Sequence, residues 1–342
     1  MGSEIGLVSV LSANTAYFEY ICSMFRVGII GAGHIAEKAA RTLLAMEDMT
    51  CIAIGSRSEE KARAFAGQFE IPRSYGSYAE LIADPDVDLV YIAVPHSCHF
   101  AVTRDAILAG KSCLVEKSFM LNSTEAATIL ALARESGVFV AEAIWPRYMP
   151  VRDIGRKLIE SGIIGEPRTV QATLAYNVSD KERIVSPELG GGALLDLGVY
   201  LLNFVRMYFD APVSQINTTC VKAPTGVDAS EQITMVLSDG TLASLDCSAW
   251  CQGGNEAVIA GTTGYLVFDD LINPKTVSVC RKRHIVEKTI AMPEQITGFE
   301  YEFRACRDAI AAGALEPTQM PHSEILYIMH LMDRLREEWG TA

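Results

Sequence analysis

The chain has 342 residues, more than one ordinary hydrophobic core serves, so two domains are the first expectation. Hydrophobic residues at 49% and charged residues at 21% describe a compact soluble protein, and no uninterrupted apolar run reaches the ~18–20 residues of a membrane span. A formal net charge of −13 and a pI near 5.0 argue against a surface built for nucleic acid or for an anionic membrane.

Residues 1–23 lack the basic start and small-residue cleavage site of a secretory signal. Met24 directly precedes "FRVGIIGAGHIAE", where strong patterning begins, so 1–23 are expected to be a leader outside the fold. From residue 24 to about 145, short apolar runs alternate with helical stretches. Strand "RVGII" precedes a helix over 34–46, and strand "CIAIGS" precedes a helix opened by Ser58 with acids in its first turn. Strand "DLVYIAV" leads to a helix over 99–109, strand "SCLVE" to a helix over 123–136 ended by Gly137, and "VFVAEAI" is the next strand. Continuously apolar strands, each followed by a helix, predict a doubly wound parallel sheet covered on both faces.

After residue 146 the texture changes. A helix over 151–160 ends at Gly162, and strand-like runs follow: "PRTVQATLAY", "EQITMVLSDGTLASLDCSAW", "EAVIAGTTGYLVFDD" and "KTVSVCRKRHIVEKTIAM". Asp239-Gly240 is a hairpin signal. The run "GGGALLDLGVYLLNFVRMYF" has helical period, and helices near 298–312 and 322–338 close the chain. Residues 146–320 therefore predict an α+β domain with a largely antiparallel open sheet, and 321–342 a helix that packs back on the first domain. The nine cysteines are scattered without a CxxC pair, which fits a reduced, cytoplasmic protein with no structural metal.

Gly31-Ala32-Gly33-His34-Ile35-Ala36 is a G-x-G-x-x-A turn between a strand and a helix. Gly31 permits the tight turn, Gly33 lets a pyrophosphate approach the backbone, and Ala36 lets the helix pack close. His34 and Ile35 open the helix whose N-terminus faces the anion. The second strand ends in Ser56 and Arg57, where an NAD-preferring site usually carries a carboxylate. A hydroxyl and a guanidinium suit a 2′-phosphate, so NADP is expected, with NAD use open.

The order of these features, with "AVPHSCHF", "LVEKS" and "GGGALLDLGVY", resembles the Gfo/Idh/MocA oxidoreductases. "AEAIWPRYMP" and "LMDRLREEWG" are most similar to the branch of dimeric dihydrodiol dehydrogenases and NADP-dependent D-xylose dehydrogenases. The resemblance spans roughly residues 24–340. It implies a Rossmann domain, a second domain for substrate and dimerisation, and a homodimer paired through the second sheet.

The resemblance also assigns roles. "VEKS" matches the family's Glu-Lys-Pro motif, which puts Glu116 beside the cofactor and Lys117 in the active site. Ser118 stands where the family usually has proline, which leaves the aim of Lys117 open. Lys117 would hydrogen-bond the reacting hydroxyl and lower a neighbouring phenol. On the residues alone, a lysine paired with Glu116 or reaching solvent is the plain alternative. Asp196 and Tyr200, four apart, share one helical face, with Asn203 a turn along. The tyrosine resembles the proton-transferring group of the dihydrodiol branch, and Asp196 would orient substrate or hold the lysine. Pro95 and His96 match the segment near the nicotinamide ribose, and His99 follows at a helix start. Positioning of cofactor or substrate is the reading there, rather than metal. Trp145 and Arg147 fall where the chain crosses between domains, placed either to face the substrate or to pack the domains together.

These residues predict an NADP-dependent dehydrogenase acting on a carbinol carbon of a sugar, cyclic polyol or trans-dihydrodiol. The alternatives are a non-enzymatic NADP-binding sensor and a tight-cofactor sugar–sugar oxidoreductase. Specificity is expected from second-domain loops such as 176–189.

Overall fold

The computed structural model describes residues 24–341, so the expectation of a leader over 1–23 lies outside the described residues. The first domain runs β1 (Phe25–Ile30), α1 (His34–Leu44), β2 (Met49–Gly55), α2 (Glu59–Gln68), β3 (Arg73–Tyr75), α3 (Tyr78–Ile82), β4 (Leu89–Ile92), α4 (His96–Leu108), β5 (Ser112–Glu116), α5 (Ser123–Ser136) and β6 (Val140–Ala143). Its six strands lie in the order β3-β2-β1-β4-β5-β6 and pair in parallel throughout. The central strands are apolar on both faces because helices cover both: every residue of β4 is buried. Small side chains set the spacing on one side, with Ala36, Ala39 and Ala40 of α1 buried. Ser58 caps α2 by accepting from the Lys61 amide, 3.3 Å, and Asn122 caps α5 by accepting from the Glu125 amide, 2.9 Å. Gly137, at φ +64°, ends α5 in the left-handed region.

The sequence reading missed β3. It is three half-buried residues long and carries no apolar run. Arg73 and Tyr75 are held there by Asp84, which accepts from the guanidinium at 2.8 Å and from the phenol at 2.9 Å.

The second domain contains α6 (Pro150–Glu160), β7 (Pro167–Ala175) and the short α7 (Glu182–Val185). A π-helical turn over Leu194–Gly198 then runs into α8 (Val199–Tyr208). The strands β8 (Val213–Lys222), β9 (Asp228–Leu237), β10 (Leu242–Ser248), β11 (Ala257–Gly261), β12 (Tyr265–Phe268), β13 (Thr276–Arg281) and β14 (Ile285–Ala291) complete the sheet. Its order is β14-β13-β12-β11-β7-β10-β9-β8, antiparallel except for the β7–β10 pair. Period-two alternation decides the faces: Ile233, Met235 and Leu237 of β9 are buried, while Gln232 is exposed. The run Pro187–Tyr208 is apolar and long enough to cross a bilayer by composition, but 78% of its most apolar window is buried inside this protein. It is the core helix of the second domain.

Two closing helices, α9 (Glu300–Ala311) and α10 (His322–Trp339), join the domains. On α9, Arg304 pairs with Asp48 at 3.1 Å and Phe303 meets Tyr91 edge-on. On α10, Asp333 accepts from the Ser123 amide at 2.8 Å, while Trp339 donates to Thr218 of β8 at 3.1 Å. The cleft between the domains is thus held from behind by contacts to both.

Candidate active site

The parallel sheet reverses strand order between β1 and β4, and the crevice at that switch point is where a doubly wound sheet takes its ligand. Gly31 follows β1 at φ +104°, and a Cβ there would stand 2.2 Å from the Ala93 carbonyl oxygen, so only glycine fits. Gly33 differs: a Cβ there would meet no atom within 4 Å, so packing does not demand glycine. The space above it, at the N-terminus of α1, is what a pyrophosphate would fill. Ser56 is buried at the end of β2, and Arg57 is exposed beside it, near the Tyr78 phenol and where a ribose phosphate would reach. These residues fit a dinucleotide.

A cleft of about 290 Å³ is lined by Gly33, His34, Ile35, Pro95, His96, Glu116, Lys117 and Asp196, with Ala93, Val94, Arg183 and Leu189 added. Lys117 leaves the end of β5 and donates to Asp196 twice, at 2.8 Å to Oδ1 and at 2.6 Å to the backbone carbonyl. The second bond has a local cause. The π turn interrupts the regular ladder of helical hydrogen bonds, and Asp196 lies inside it. The turn is set from below, where Asp228 of β9 accepts from the Leu194 amide at 2.6 Å. Gly192, at φ +121°, leaves room for that carboxylate. The Lys117–Ser118 peptide is cis, and the Ser118 hydroxyl donates to the Leu195 carbonyl at 2.8 Å. Serine at the family's proline position therefore ties the lysine loop to the same turn.

Tyr200 stands a short way along α8. The Lys117 ammonium lies 5.1 Å from its ring centre, and the Trp145 indole donates to its hydroxyl at 3.3 Å. Burial would raise the Asp196 carboxyl, but Lys117 and Arg183 outweigh it and hold the acid well below the usual range. Tyr200 goes the other way. Burial, then the charges of Glu116 and Asp196, push the phenol well above 10. This corrects the expectation that Lys117 lowers it, because the ammonium is already paired with Asp196. Glu116, which accepts from the Tyr91 hydroxyl and from the Lys117 amide, is pushed up by burial against the pull of Tyr91 and Lys117. The ring of His96 lies between the carbonyls of Gly190 at 2.8 Å and Lys117 at 3.1 Å, and donates to one of them. Burial, then Lys117, keep it neutral by lowering its pKa.

Four expected site residues are elsewhere. His99 is fully buried, its ring bracketed by the carbonyls of Val94, Ser118 and Phe119, so it pins two loops and cannot reach a substrate. Arg147 is 3% exposed and donates to Asn203 at 2.8 Å and to Glu324 at 3.3 Å. Asn203, 1% exposed, also donates to the Val199 carbonyl, so this pair locks α8 to α10 behind the cleft. Trp145 packs between domains, with Lys38 4.0 Å over its ring and Phe299 tilted against it at 5.4 Å. Its indole faces are occupied, and its contribution to the site is the bond to Tyr200.

Arg183 was not singled out from the sequence. Its guanidinium donates to Asp196 Oδ1 at 2.6 Å from α7. The segment 176–189 was expected to shape specificity, and Arg183 is its only arginine. Among the described residues no group of three or more His, Cys, Asp or Glu is placed to hold a metal ion.

A glycine turn at a switch point, facing a lysine–aspartate pair and a tyrosine from a second domain, defines a nicotinamide-dependent oxidoreductase. The description "Oxidoreductase family, NAD-binding Rossmann fold" matches residues 25–143, and "GFO/IDH/MocA C-terminal domain" matches residues 155–267. The chain belongs to the Gfo/Idh/MocA oxidoreductase family. It is 34% identical over 330 residues to trans-1,2-dihydrobenzene-1,2-diol dehydrogenase of Danio rerio, covering 93% of this chain and 97% of that one. The enzyme of the same name from Mus musculus is 31% identical, with the same coverage. A 3-ketoreductase from Actinomadura kijaniata, solved with NADP and TDP-benzene, superposes with a TM-score of 0.83 at 26% identity, covering 92% and 97% of the two chains. The fold is shared with an aldose-aldose oxidoreductase from Caulobacter crescentus, at a TM-score of 0.82, 20% identity and coverage of 93% and 98%.

Proposed function

We propose that the protein is an NADP-dependent dehydrogenase that interconverts a carbinol and a carbonyl on a sugar, cyclic polyol or trans-dihydrodiol. The observation that carries this reading is the Lys117–Asp196 pair beside Tyr200, set across the cleft from the glycine turn. The cofactor supplies the hydride-accepting carbon when bound. The Gly31–Ile35 turn would take its pyrophosphate, Ser56 and Arg57 its 2′-phosphate, and Pro95, His96 and Glu116 would border the nicotinamide end. Lys117 donates to the substrate oxygen, Asp196 holds Lys117 in place, and Tyr200 exchanges the hydroxyl proton. The sequence likeness to dihydrodiol dehydrogenases and the NADP bound in the ketoreductase support this choice.

We further propose a cytoplasmic homodimer. The eight described cysteines are all unpaired, which suits a reducing compartment. The outer face of the second sheet holds a shallow hollow of about 470 Å³ lined by polar groups such as Thr173, Thr219 and Gln232 together with the acids Glu231 and Asp246, with Val221 exposed at its rim. A monomer in sedimentation at micromolar concentration would refute the dimer.

The test of function is absorbance at the reduced-nicotinamide band, with NADP⁺ or NAD⁺ and a panel of aldoses, inositols and trans-diols. Turnover with NADP⁺ that Tyr200→Phe abolishes supports the reading. Tight NADP binding without turnover of any panel member counts against it.

A further inference from the structure

The carboxylate of Asp196 is shared by two cations. Its Oδ1 accepts from Lys117 at 2.8 Å and from Arg183 at 2.6 Å. Among the described residues no hydrogen bond reaches Oδ2. Lys117 and Asp196 are nearly buried, at 12% and 7% side-chain exposure, whereas Arg183 is 48% exposed at the mouth of the cleft. A guanidinium has five N–H donors, and this one spends a single N–H on Asp196. Its other N–H groups make no hydrogen bond among the described residues, and the residue lines the cleft.

Both cations converge on a single oxygen, Asp196 Oδ1. Two cations meet one firmly ionised carboxylate. The other acid of the cleft, Glu116, accepts from Tyr91 and the Lys117 amide, and among the described residues no ion pair joins it to either cationic head group. Of the two histidines that line the cleft, His34 is exposed at the glycine turn and His96 is held toward its neutral form by burial. Orienting a neutral hydroxyl needs the lysine and the aspartate alone. A second, half-exposed guanidinium with a free fork is the group that binds carboxylate or phosphate in a bidentate manner.

Building on the dehydrogenase reading, we propose that the substrate carries an anionic oxygen group, a carboxylate or a phosphate, on its hydroxylated skeleton, and that Arg183 is the residue that recognises it. Arg183 bridges Asp196 and the anion, so substrate capture and the placement of Lys117 are joined through one carboxylate. The short α7 is the element that carries this specificity.

The experiment is calorimetric titration of the NADPH-saturated protein with three probes of one carbon skeleton: D-glucitol, D-gluconate and D-glucitol 6-phosphate. NADPH affinity is first measured by the change in its fluorescence. At least one anion should bind the wild type tenfold or more tighter than glucitol, and which one does so separates carboxylate from phosphate. Arg183→Met should reduce that advantage below threefold, and Arg183→Lys should retain part of it. Glucitol binding as tightly as both anions, no measurable binding of any probe, or an advantage that survives Arg183→Met would each overturn the proposal. Arg183→Met weakening NADPH more than tenfold would assign the residue to the cofactor and overturn it too. A wild type that binds no NADPH would instead bring down the dehydrogenase reading on which this rests.

Discussion

Asp196 Oδ1 stands 2.8 Å from the ammonium of Lys117, although 79 residues and two domains separate them. The pair closes the gap between the end of β5 and the turn that opens α8. Any motion that parts the domains must break it, so binding and chemistry meet at one ion pair.

Removing the groups at this junction should stop turnover without unfolding the chain. Tyr200→Phe is expected to lower kcat by about 10²–10⁴-fold, the usual worth of a positioned proton donor or acceptor. The lost hydroxyl accepts one long bond from Trp145, so the melting temperature should stay within a few degrees. Normal turnover in that variant would remove Tyr200 from the mechanism.

The pH dependence follows from the raised phenol. Burial, Glu116 and Asp196 favour neutral Tyr200, which is the proton-donating form. Carbonyl reduction should therefore run flat across neutral pH. Oxidation needs the phenolate, and its kcat/KM should climb about tenfold per pH unit up to at least pH 9. An oxidation profile that levels off near pH 7 would contradict the assignment.

Cofactor choice should hang on Arg57. Its exposed guanidinium has no carboxylate beside it at the end of β2 that would repel a phosphate. Arg57→Ala is expected to weaken NADPH by about 10–100-fold, the worth of a charged hydrogen bond or two, with NADH affinity little changed. Fluorescence titration of both cofactors distinguishes this from a general loss of binding.

Glu324 should matter for stability and not for chemistry. It accepts from buried Arg147 and Arg206, at 3.3 and 3.2 Å. Glu324→Ala leaves two buried guanidinium groups short of a partner and should cost about 3–5 kcal/mol in denaturant unfolding at pH 7. Burial raises this carboxyl, but Arg206 and Arg147 outweigh it and set it below its ordinary 4.5. A depressed carboxyl stabilises the fold above its unfolded pKa, and that stability drains away as pH falls from about 4.5 through the folded value. The variant should lack this acid-labile part, and an unchanged acid limb would refute the assignment.

Much of the first domain was readable because its signals are local. The runs around Val27–Ile30 and Leu89–Ile92 announce buried parallel strands, and Ser58, Asn122 and Gly137 mark helix ends through their own backbone chemistry. The G-x-G-x-x-A turn was legible as a short motif, although what demands Gly31 is a tertiary contact with the Ala93 carbonyl just after β4. β3 escaped because it has no apolar pattern of its own and is held by the Asp84 carboxylate and by pairing with β2.

The chemistry-bearing types were also legible, but not which of them face the cleft. His99 and His96 sit three apart in the first turn of α4, yet one is walled in by three carbonyls and the other borders the cavity. Arg147 and Asn203 looked like site residues and proved to be a buried brace. Arg183, not singled out from the sequence, proved to hold Asp196. Composition, periodicity and short motifs determined the two-domain architecture and the dinucleotide turn, because strand and helix periods, caps and glycine spacing are written in adjacent residues. Tertiary structure alone decided which charges meet. A side chain's ionisation and reach depend on what other strands bring within a few ångströms and on how much water that meeting expels.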